Sequence, residues 1–526
     1  MSSSDSITPL PPLDPELLGA LREKVPAAVI EQLTDNWRKQ TEALAQSQKE
    51  NRLLRELLRL MRVEKYGPAS ERLSDQQLEL LEEEPGVSQA EVQAESERAQ
   101  LQLSLKGPKP RPVRQALPAE LPRIEQLIGC EPQECVCGAC GREKVLIGYE
   151  MAEQLDVEPA KYFVRVTKRE KRACPHCPEQ GVVCAPLPPR IIEKSLASDR
   201  LIIETIVNKY ADYVPLYRQS VILERDTGVE LSRATLCGWV MRVGELLRPL
   251  SRAMAQALLE GDYLQADETP VGVQMHDGRG KNHQAYLWQY SQPAGAVIFD
   301  FQLSRAREGP KQFLANFNGI LQTDGYSGYD RVGGPKLIHA GCWAHARRYF
   351  FQAVEAHPDD RAAIALVATI DALFAIDAQA RERNLGLTER DQLRQQRARP
   401  ILKSIQSQIQ AARSQTLPKS ALAKACNYTL TLWNRLTCFL DHPILELSTN
   451  AAENAIRPVA LGRKNWIHFG SQEAGPRIAA ILSVVETCRR LQIPIRDYLA
   501  SILPGLADLP VRRVAELTPT AWAARS

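Results

Sequence analysis

Three acidic residues, Asp267, Asp324 and Glu453, stand at the edges of differently patterned segments and together have the donor chemistry of a divalent-metal site. Asp267 lies in Tyr-Leu-Gln-Ala-Asp-Glu-Thr-Pro-Val-Gly-Val, and Asp324 closes the apolar run Gly-Ile-Leu-Gln-Thr-Asp, so both read as carboxylates at or near strand ends. Glu453 sits in Asn-Ala-Ala-Glu-Asn-Ala-Ile-Arg-Pro, where Ala and Glu favour a helix until Pro458 interferes. Carboxylate oxygens are hard ligands suited to Mg²⁺ or Mn²⁺. A pair of such ions activates water or a hydroxyl and stabilises both oxygens of an in-line phosphoryl displacement. Singly, each acid reads as an exposed turn residue; it is the three in context that point to phosphodiester chemistry.

The elements that must position them are legible around each. Segments 263–273, 284–290, 296–303 and 319–324 have strand character, rich in Val, Ile, Tyr and Phe between polar or glycine-containing turns. Leu337-Ile-His-Ala-Gly-Cys-Trp-Ala-His-Ala-Arg-Arg-Tyr-Phe reads as a further strand leading into a helix, which completes the outline of a mixed α/β sheet. Residues 356–447 break that pattern with helical stretches, Leu366, Ile370, Leu373 and Phe374 sharing one face, and are expected to be a helical insertion before the third acid. Glu486, in the later apolar helix Gly475–Cys488, is a rival for the third carboxylate, but its neighbours have packing character.

Cations follow Glu453 closely: Arg457, Arg463 and Lys464 are placed to hold phosphates, and Trp466 offers a flat surface for an unpaired base. A second candidate DNA surface precedes the core. Tyr217–Glu224, a Thr227-Gly228 turn, and Ser232 as N-cap of a helix through Leu236, Trp239, Val240 and Val243 give the outline of a helix-turn-helix. Arg218, Arg225, Arg233 and Arg242 are its candidate DNA contacts.

Cys137-Gly-Ala-Cys140 and Cys174-Pro-His-Cys177 form two Cys-x-x-Cys knuckles around the strand-like Lys161–Lys168, four thiolates suited to a tetrahedral structural Zn²⁺. Cys135 competes with Cys137 on sequence grounds, and the Cys-x-x-Cys turn favours Cys137. Residues 28–62 carry a heptad with Ile30, Trp37, Leu44, Asn51 and Leu58 at one core position and Leu33, Gln40, Ser47, Leu54 and Met61 at the other, which reads as a short coiled coil. Residues 75–100 hold eight acids against one Arg, and Lys-Gly-Pro-Lys-Pro-Arg-Pro-Val-Arg follows at 106–114, a composition expected of a disordered linker.

The formal charge of +3 over 526 residues assigns any nucleic-acid binding to local basic patches and not to bulk charge. The first residues lack a basic stretch followed by an apolar core, and no run approaches 18 uninterrupted apolar residues, so a cytoplasmic protein without a membrane role is expected. Two Cys-x-x-Cys pairs among 12 Cys argue for reduced thiols and a metal site over a disulfide framework.

The chain resembles the transposases of the insertion sequence 66 family. The matching stretches are Tyr210-Ala-Asp-Tyr-Val-Pro-Leu-Tyr-Arg-Gln-Ser220, Asp324-Gly-Tyr-Ser-Gly-Tyr329, Cys342-Trp-Ala-His-Ala-Arg-Arg348 and Glu453-Asn-Ala-Ile-Arg-Pro-Val-Ala-Leu-Gly-Arg-Lys-Asn-Trp466. One departure is Ser448-Thr449-Asn450, where the family commonly has Asp-Asn-Asn. The resemblance implies a DDE transposase with a ribonuclease-H-like core, Asp267, Asp324 and Glu453 being the matching acids, and it also favours Cys137 as a zinc ligand. His345 with Cys342 is similar to the Cys-x-x-His signature that follows the second acid in some DDE transposases, which makes His345 a further candidate.

The fold expected is therefore multidomain α/β. It comprises an N-terminal helical or coiled-coil region (1–74), a disordered linker (75–125), a zinc-ribbon-like module (126–190) and a helix-turn-helix-like region (195–258). A ribonuclease-H-like mixed-sheet core (259–355 and 448–505) is interrupted by the helical insertion (356–447), and a tail (506–526) follows. The function implied is metal-dependent cleavage and strand transfer on double-stranded DNA, at element ends and target, by a homodimer or larger synaptic complex at the bacterial nucleoid. Small accessory proteins of the element are possible partners. Two other readings use the same residues: a catalytically silent DNA-binding regulator, and a ribonuclease-H-like nuclease without strand transfer.

Overall fold

The computed structural model describes residues 161–173, 182–275 and 282–525, with isolated positions before them: Val29, Gln32, 34–39, Cys135, Ala139, Arg142 and Glu143. The expected linker and the four cysteines read as candidate zinc ligands lie outside the described residues, as does the heptad apart from Trp37, which sits in the helical stretch 34–39. The chain divides into two compact units, residues 99–184 and the rest. In the smaller unit, β1 (Lys171–Ala173) and β2 (Val182–Cys184) pair antiparallel with Lys171 opposite Cys184.

The larger unit opens with three helices. Ser198 caps α1 (Asp199–Tyr210) by accepting from the Leu201 N–H. Helix α2 (Leu216–Thr227) ends at Gly228, whose φ of +69° is left-handed backbone that glycine adopts without a Cβ clash. Ser232 then accepts from the Thr235 N–H at 3.2 Å to start α3 (Arg233–Leu259). The helix, glycine turn and helix expected from the sequence are present, but α3 is 27 residues long. Leu236, Trp239, Val240, Val243, Leu247 and Leu250 recur at helical spacing and bury one face of it, so it is a structural spine as well as the second helix of the pair.

A six-stranded mixed sheet follows, made of β3 (Tyr263–Val273), β4 (His283–Ser291), β5 (Val297–Gln302), β6 (Ile320–Gln322), β7 (Ile338–Ala340) and the late two-residue β8 (His468–Phe469), with α4 (Glu308–Leu314) between β5 and β6. The order is β5-β4-β3-β6-β7. The first three strands are antiparallel to one another, whereas β6 lies parallel to both β3 and β7. Strand β3 is long enough to have its second edge shared: Tyr263–Gln265 pair with β6, and Gly272–Val273 pair with β8. Asp267 and Glu268 lie in the interval that neither strand covers.

Helices fill the rest of the unit: α5 (Trp343–Ala356), α6 (Arg361–Glu382), α7 (Leu387–Leu393), a π-helical turn at Arg394–Ala398, α8 (Arg399–Gln415), α9 (Ala421–Thr431), α10 (Trp433–Thr437), α11 (Asn450–Trp466), α12 (Ala474–Arg490), α13 (Ile495–Ile502) and α14 (Pro519–Ala523). Two apolar cores result. One joins the central strands to α3, α11 and α12, and the other joins α5, α6, α8 and α9 around Trp343, Phe350, Ile370 and Ile405. Helix α6 is long and apolar enough to cross a membrane by length and composition alone, but its Leu366, Ile370 and Leu373 lie in the second core.

Helix α12 also closes the open edge of the sheet. Thr487 Oγ1 accepts from the Val297 N–H at 2.9 Å and Ser483 Oγ accepts from the Phe299 N–H at 2.8 Å, so edge strand β5 keeps two backbone donors satisfied. On its other side α12 meets α3 closely: a Cβ at Gly244 would lie 2.7 Å from Arg477 Cβ and 2.8 Å from its carbonyl oxygen. Backbone cannot yield there as a flexible side chain would. Gly244→Ala is therefore expected to cost about 1–3 kcal/mol through forced separation of the two helices. Urea unfolding would check this, and a change under about 0.5 kcal/mol, the scale of an ordinary surface substitution, would contradict the packing.

Candidate functional site

Asp267 projects from the middle of β3, where it pairs in register with Gln289 of β4. Its Oδ1 accepts from the Glu268 N–H at 2.8 Å. Asp324 follows β6 by two residues, and its Oδ1 accepts from the Tyr326 N–H at 2.8 Å across a turn that Gly325, at φ +91°, makes possible. Tyr428 of α9 donates from its hydroxyl to the Asp324 carbonyl. Glu453 stands in the first turn of α11, where a carboxylate is favoured by the helix dipole.

These acids, far apart in sequence, act on one another. Burial raises Asp267 from its ordinary 3.8 to about 8, with further upward contributions from the charges of Glu453, Glu268 and Asp324 in that order. The acid from the C-terminal half that faces Asp267 is thus Glu453. Its rival Glu486 is buried in α12 and paired with Arg489 at 2.6 Å.

Helix α5 supplies the groups around Glu453. His345 Nε2 lies 3.5 Å from Glu453 Oε1, and Arg348, one turn further along the same face, reaches Oε2 at 3.2 Å. Burial opposes a charge on His345, but Cys342 and Glu453 outweigh it and bring the imidazole up to about 9. Cys342 Sγ in turn accepts from the Thr449 N–H at 3.3 Å, which joins the start of α5 to the residue before α11. Glu453 Oε1 is buried and accepts no hydrogen bond.

On the other face of β3, Glu268 is a fourth acid that sequence reasoning passed over as an ordinary neighbour. Tyr329 donates to its Oε2 at 2.8 Å, and Arg305 holds its Oε1. The Arg305 guanidinium lies 3.9 Å from the centre of the Tyr326 ring, and Trp288 packs edge-on against Tyr329. The run Asp324-Gly-Tyr-Ser-Gly-Tyr329 therefore has two duties: its first residue is one of the acids, and its tyrosines fix the neutraliser of another. Nothing local in the sequence marks Arg305. Arg348 had a signal, its helical spacing from His345.

The remaining candidates are spread more widely. Arg463 Nη1 donates to Thr269 Oγ1 at 3.0 Å and to the Pro270 carbonyl at 2.7 Å, so one end of this guanidinium fastens α11 to β3. Trp466 is half-buried with its ring 5.4 Å from that of Phe469, and Lys209 Nζ lies 6.0 Å from it. Arg457 is half-buried and Lys464 exposed. Arg218, Arg225, Arg233 and Arg242 are exposed on α2 and the N-terminal half of α3, Arg225 with Asp226 at 2.7 Å. Among the described residues, no three His, Cys, Asp or Glu side chains are drawn together as tightly as the ligand set of a bound metal.

Residues 194–477 match the family described as Transposase IS66 family. Residues 53–125 match Transposase C of IS166 homeodomain, and residues 134–178 match the zinc-finger binding domain of transposase IS66. The chain is similar to Uncharacterized protein y4qI of Sinorhizobium fredii (strain NBRC 101917 / NGR234), 33% identical with 89% of this chain and 88% of that one covered. It is similar also to Uncharacterized protein y4hP of the same organism, 30% identical with 88% and 87% covered.

Proposed function

Since the chain belongs to the IS66 family of transposases, we propose that it binds the ends of its element and catalyses divalent-metal-dependent cleavage and strand transfer through Asp267, Asp324 and Glu453. The observation that carries this reading is the convergence of carboxylates from β3, the end of β6 and the first turn of α11: Asp267, raised to about 8 chiefly by burial, is pushed further up by the charges of Glu453 and Asp324. The strand order β5-β4-β3-β6-β7, with its antiparallel and parallel halves, supports a ribonuclease-H-like core.

Mg²⁺ or Mn²⁺ fits the residues present. The donors are all hard oxygens, their mutual repulsion is of the kind a cation relieves, and Glu453 Oε1 is a buried acceptor that accepts no hydrogen bond, His345 Nε2 facing it at 3.5 Å. Asp267, Asp324 and Glu453 would hold the ions. The ions supply Lewis acidity toward the scissile phosphate and toward the attacking and leaving oxygens. The chain's own contribution is placement: His345 and Arg348 hold Glu453, while Arg305 and Tyr329 keep Glu268 neutralised so that it does not repel DNA. Lys464 and Arg457 are placed to meet phosphates, with the free side of Arg463 beside them, and Trp466 to meet a base at its exposed edge. Arg218, Arg225, Arg233 and Arg242 on the paired helices form a second DNA surface, α3 offering only its first turns because its body is in the core.

Cys137, Cys140, Cys174 and Cys177 are the residues that would hold a structural Zn²⁺. The N-terminal heptad would join protomers into the dimer or larger assembly that two ends require, at the nucleoid in the cytoplasm.

The test is an assay with labelled element-end DNA and a supercoiled target. Joined products are expected with Mg²⁺ or Mn²⁺ and none with Asp324→Asn, which should still shift end DNA in a gel. Joining that survives Asp324→Asn defeats the reading. Cutting without joining by the intact protein would instead indicate a nuclease, and binding without either would indicate a regulator.

A further inference from the structure

Each of the two strand-borne acids is preceded by the same pattern: Leu264-Gln265-Ala266-Asp267 on β3 and Leu321-Gln322-Thr323-Asp324 at β6. On β3, strand alternation puts Gln265 on the same face as Asp267, and Gln322 ends β6 two residues before Asp324. Because β3 and β6 are parallel with Gln265 opposite Gln322, the two glutamines also sit side by side. Their side chains are 0% and 1% exposed, an unusual place for amides unless every polar atom has a partner.

Their partners are mostly on the segment that leads into α11. Gln265 Nε2 donates to the Ser448 carbonyl at 2.8 Å, and Gln265 Oε1 accepts from the Ala452 N–H at 3.2 Å. Gln322 Nε2 donates to the carbonyls of Glu446 and Gly341, at 2.8 and 2.9 Å. The two amides join at 3.1 Å, and the Tyr263 hydroxyl donates to the Gln322 Oε1. Glu453 is the residue after Ala452. A helix turns about 100° per residue, so a slip of one position at this entry would carry Glu453 away from Asp267 altogether.

We propose that Gln265 and Gln322 act as a positioning clamp that fixes the register of α11, and so sets the carboxylate of Glu453 against Asp267 and Asp324 in the geometry a divalent cation needs. The proposal rests on the reading of those three acids as the catalytic set. An apolar pair could fill the same space, but only amides can bond the backbone of 446–452 in one register. The clamp is distinct from the contacts of His345 and Arg348, which act on the Glu453 side chain and not on its helix.

The experiment measures Mn²⁺ affinity of the full-length protein by calorimetric titration, well below the unfolding temperature of each variant, for Gln265→Met, Gln322→Met, their double variant and Asp267→Asn. Groups that orient metal ligands typically carry 10–100-fold of affinity. Each single variant is therefore expected to weaken Mn²⁺ binding by about 10-fold or more, and the double variant by little more than the worse single one, because both act through one segment. A residue important only for folding would lower the unfolding temperature and leave this affinity unchanged. Should a Met variant not fold, Gln265→Asn keeps the amide but is one methylene too short to reach Ser448 and Ala452 together, and the same loss is expected. Mn²⁺ affinity within twofold of the parent in the glutamine variants, with Asp267→Asn having lost it, overturns the clamp and leaves the triad standing. Unchanged affinity in Asp267→Asn overturns the reading beneath it.

Discussion

Asp267→Asn is expected to lower metal-dependent cleavage by about 100–1,000-fold, the scale on which removal of a key charge-stabilising group acts, while making the metal-free protein more stable at neutral and alkaline pH. Both effects have one cause. Asp267 is held at about 8 by burial first and then by the charges of Glu453, Glu268 and Asp324. Its ordinary value is 3.8, so between about pH 4 and 8 the folded state keeps a proton that the unfolded state has lost. Unfolding free energy therefore falls as pH rises through that window, and the stability linked to this group is complete only below it. Asparagine does not titrate, so this component of the slope disappears. The check is urea unfolding in chelator at pH 5 and pH 8. The intact protein should lose more stability between the two than Asp267→Asn does, and saturating Mg²⁺ should narrow the difference for the intact protein alone. An identical pH slope in both would mean that Asp267 is not under the strain inferred. A stability gain coupled to lost activity is the usual signature of a functional group held where the fold alone would not choose it.

The second large effect lies away from the acids. Arg394, fully buried in the π-helical turn, donates to both oxygens of Asp377, at 2.9 and 2.7 Å, and to the carbonyls of Phe439, Pro443 and Leu445. Burial pushes the Asp377 carboxyl upward, but Arg394 and Arg390 more than offset this and hold it below its ordinary value. Arg394→Met would leave three carbonyls without donors and Asp377 with one cation instead of two. The expected loss is about 3–5 kcal/mol, as for removal of one partner of a buried ion pair. Arg394→Lys should recover little of it, since a single ammonium cannot reproduce the fork. Denaturant titration of the two variants would decide; a loss below about 1 kcal/mol would show that Arg390 alone suffices. The carbonyls Arg394 holds belong to the stretch just before the clamp on 446–452, so the helices between α5 and α11 have a mechanical connection to Glu453.

Local pattern made a good part of this molecule readable. The β-rich runs at 263–273 and 296–303 correspond to β3 and β5, and the glycine at 228 with a serine at 232 marks where α2 ends and α3 begins. These are short-range signals: a strand's two faces, a left-handed turn and an N-cap each depend on a handful of neighbouring residues. The positions of Asp267 and Asp324 at their strands are of the same kind, and so is the placing of Glu453 on a helix, although that helix does not stop at Pro458 as the sequence suggested but runs on to Trp466.

What the chain does with its polar groups depended on contacts between residues far apart in sequence. Arg463 and Trp466 look free beside Glu453 in the sequence, yet one is bonded to Thr269 and Pro270 and the other packs on Phe469. Glu268, indistinguishable in sequence from a solvated neighbour of Asp267, is held by Arg305 and Tyr329. The preference for Glu453 over Glu486 rested in the sequence on the packing character of the residues around Glu486; in the fold one lies beside Asp267 and the other beside Arg489. Gln265 finds Ser448 across 183 residues. Periodicity records which face of an element is apolar, because burial acts on every residue of that face; a hydrogen bond or ion pair involves single atoms brought within about 3 Å, and only the packed chain determines which atoms those are.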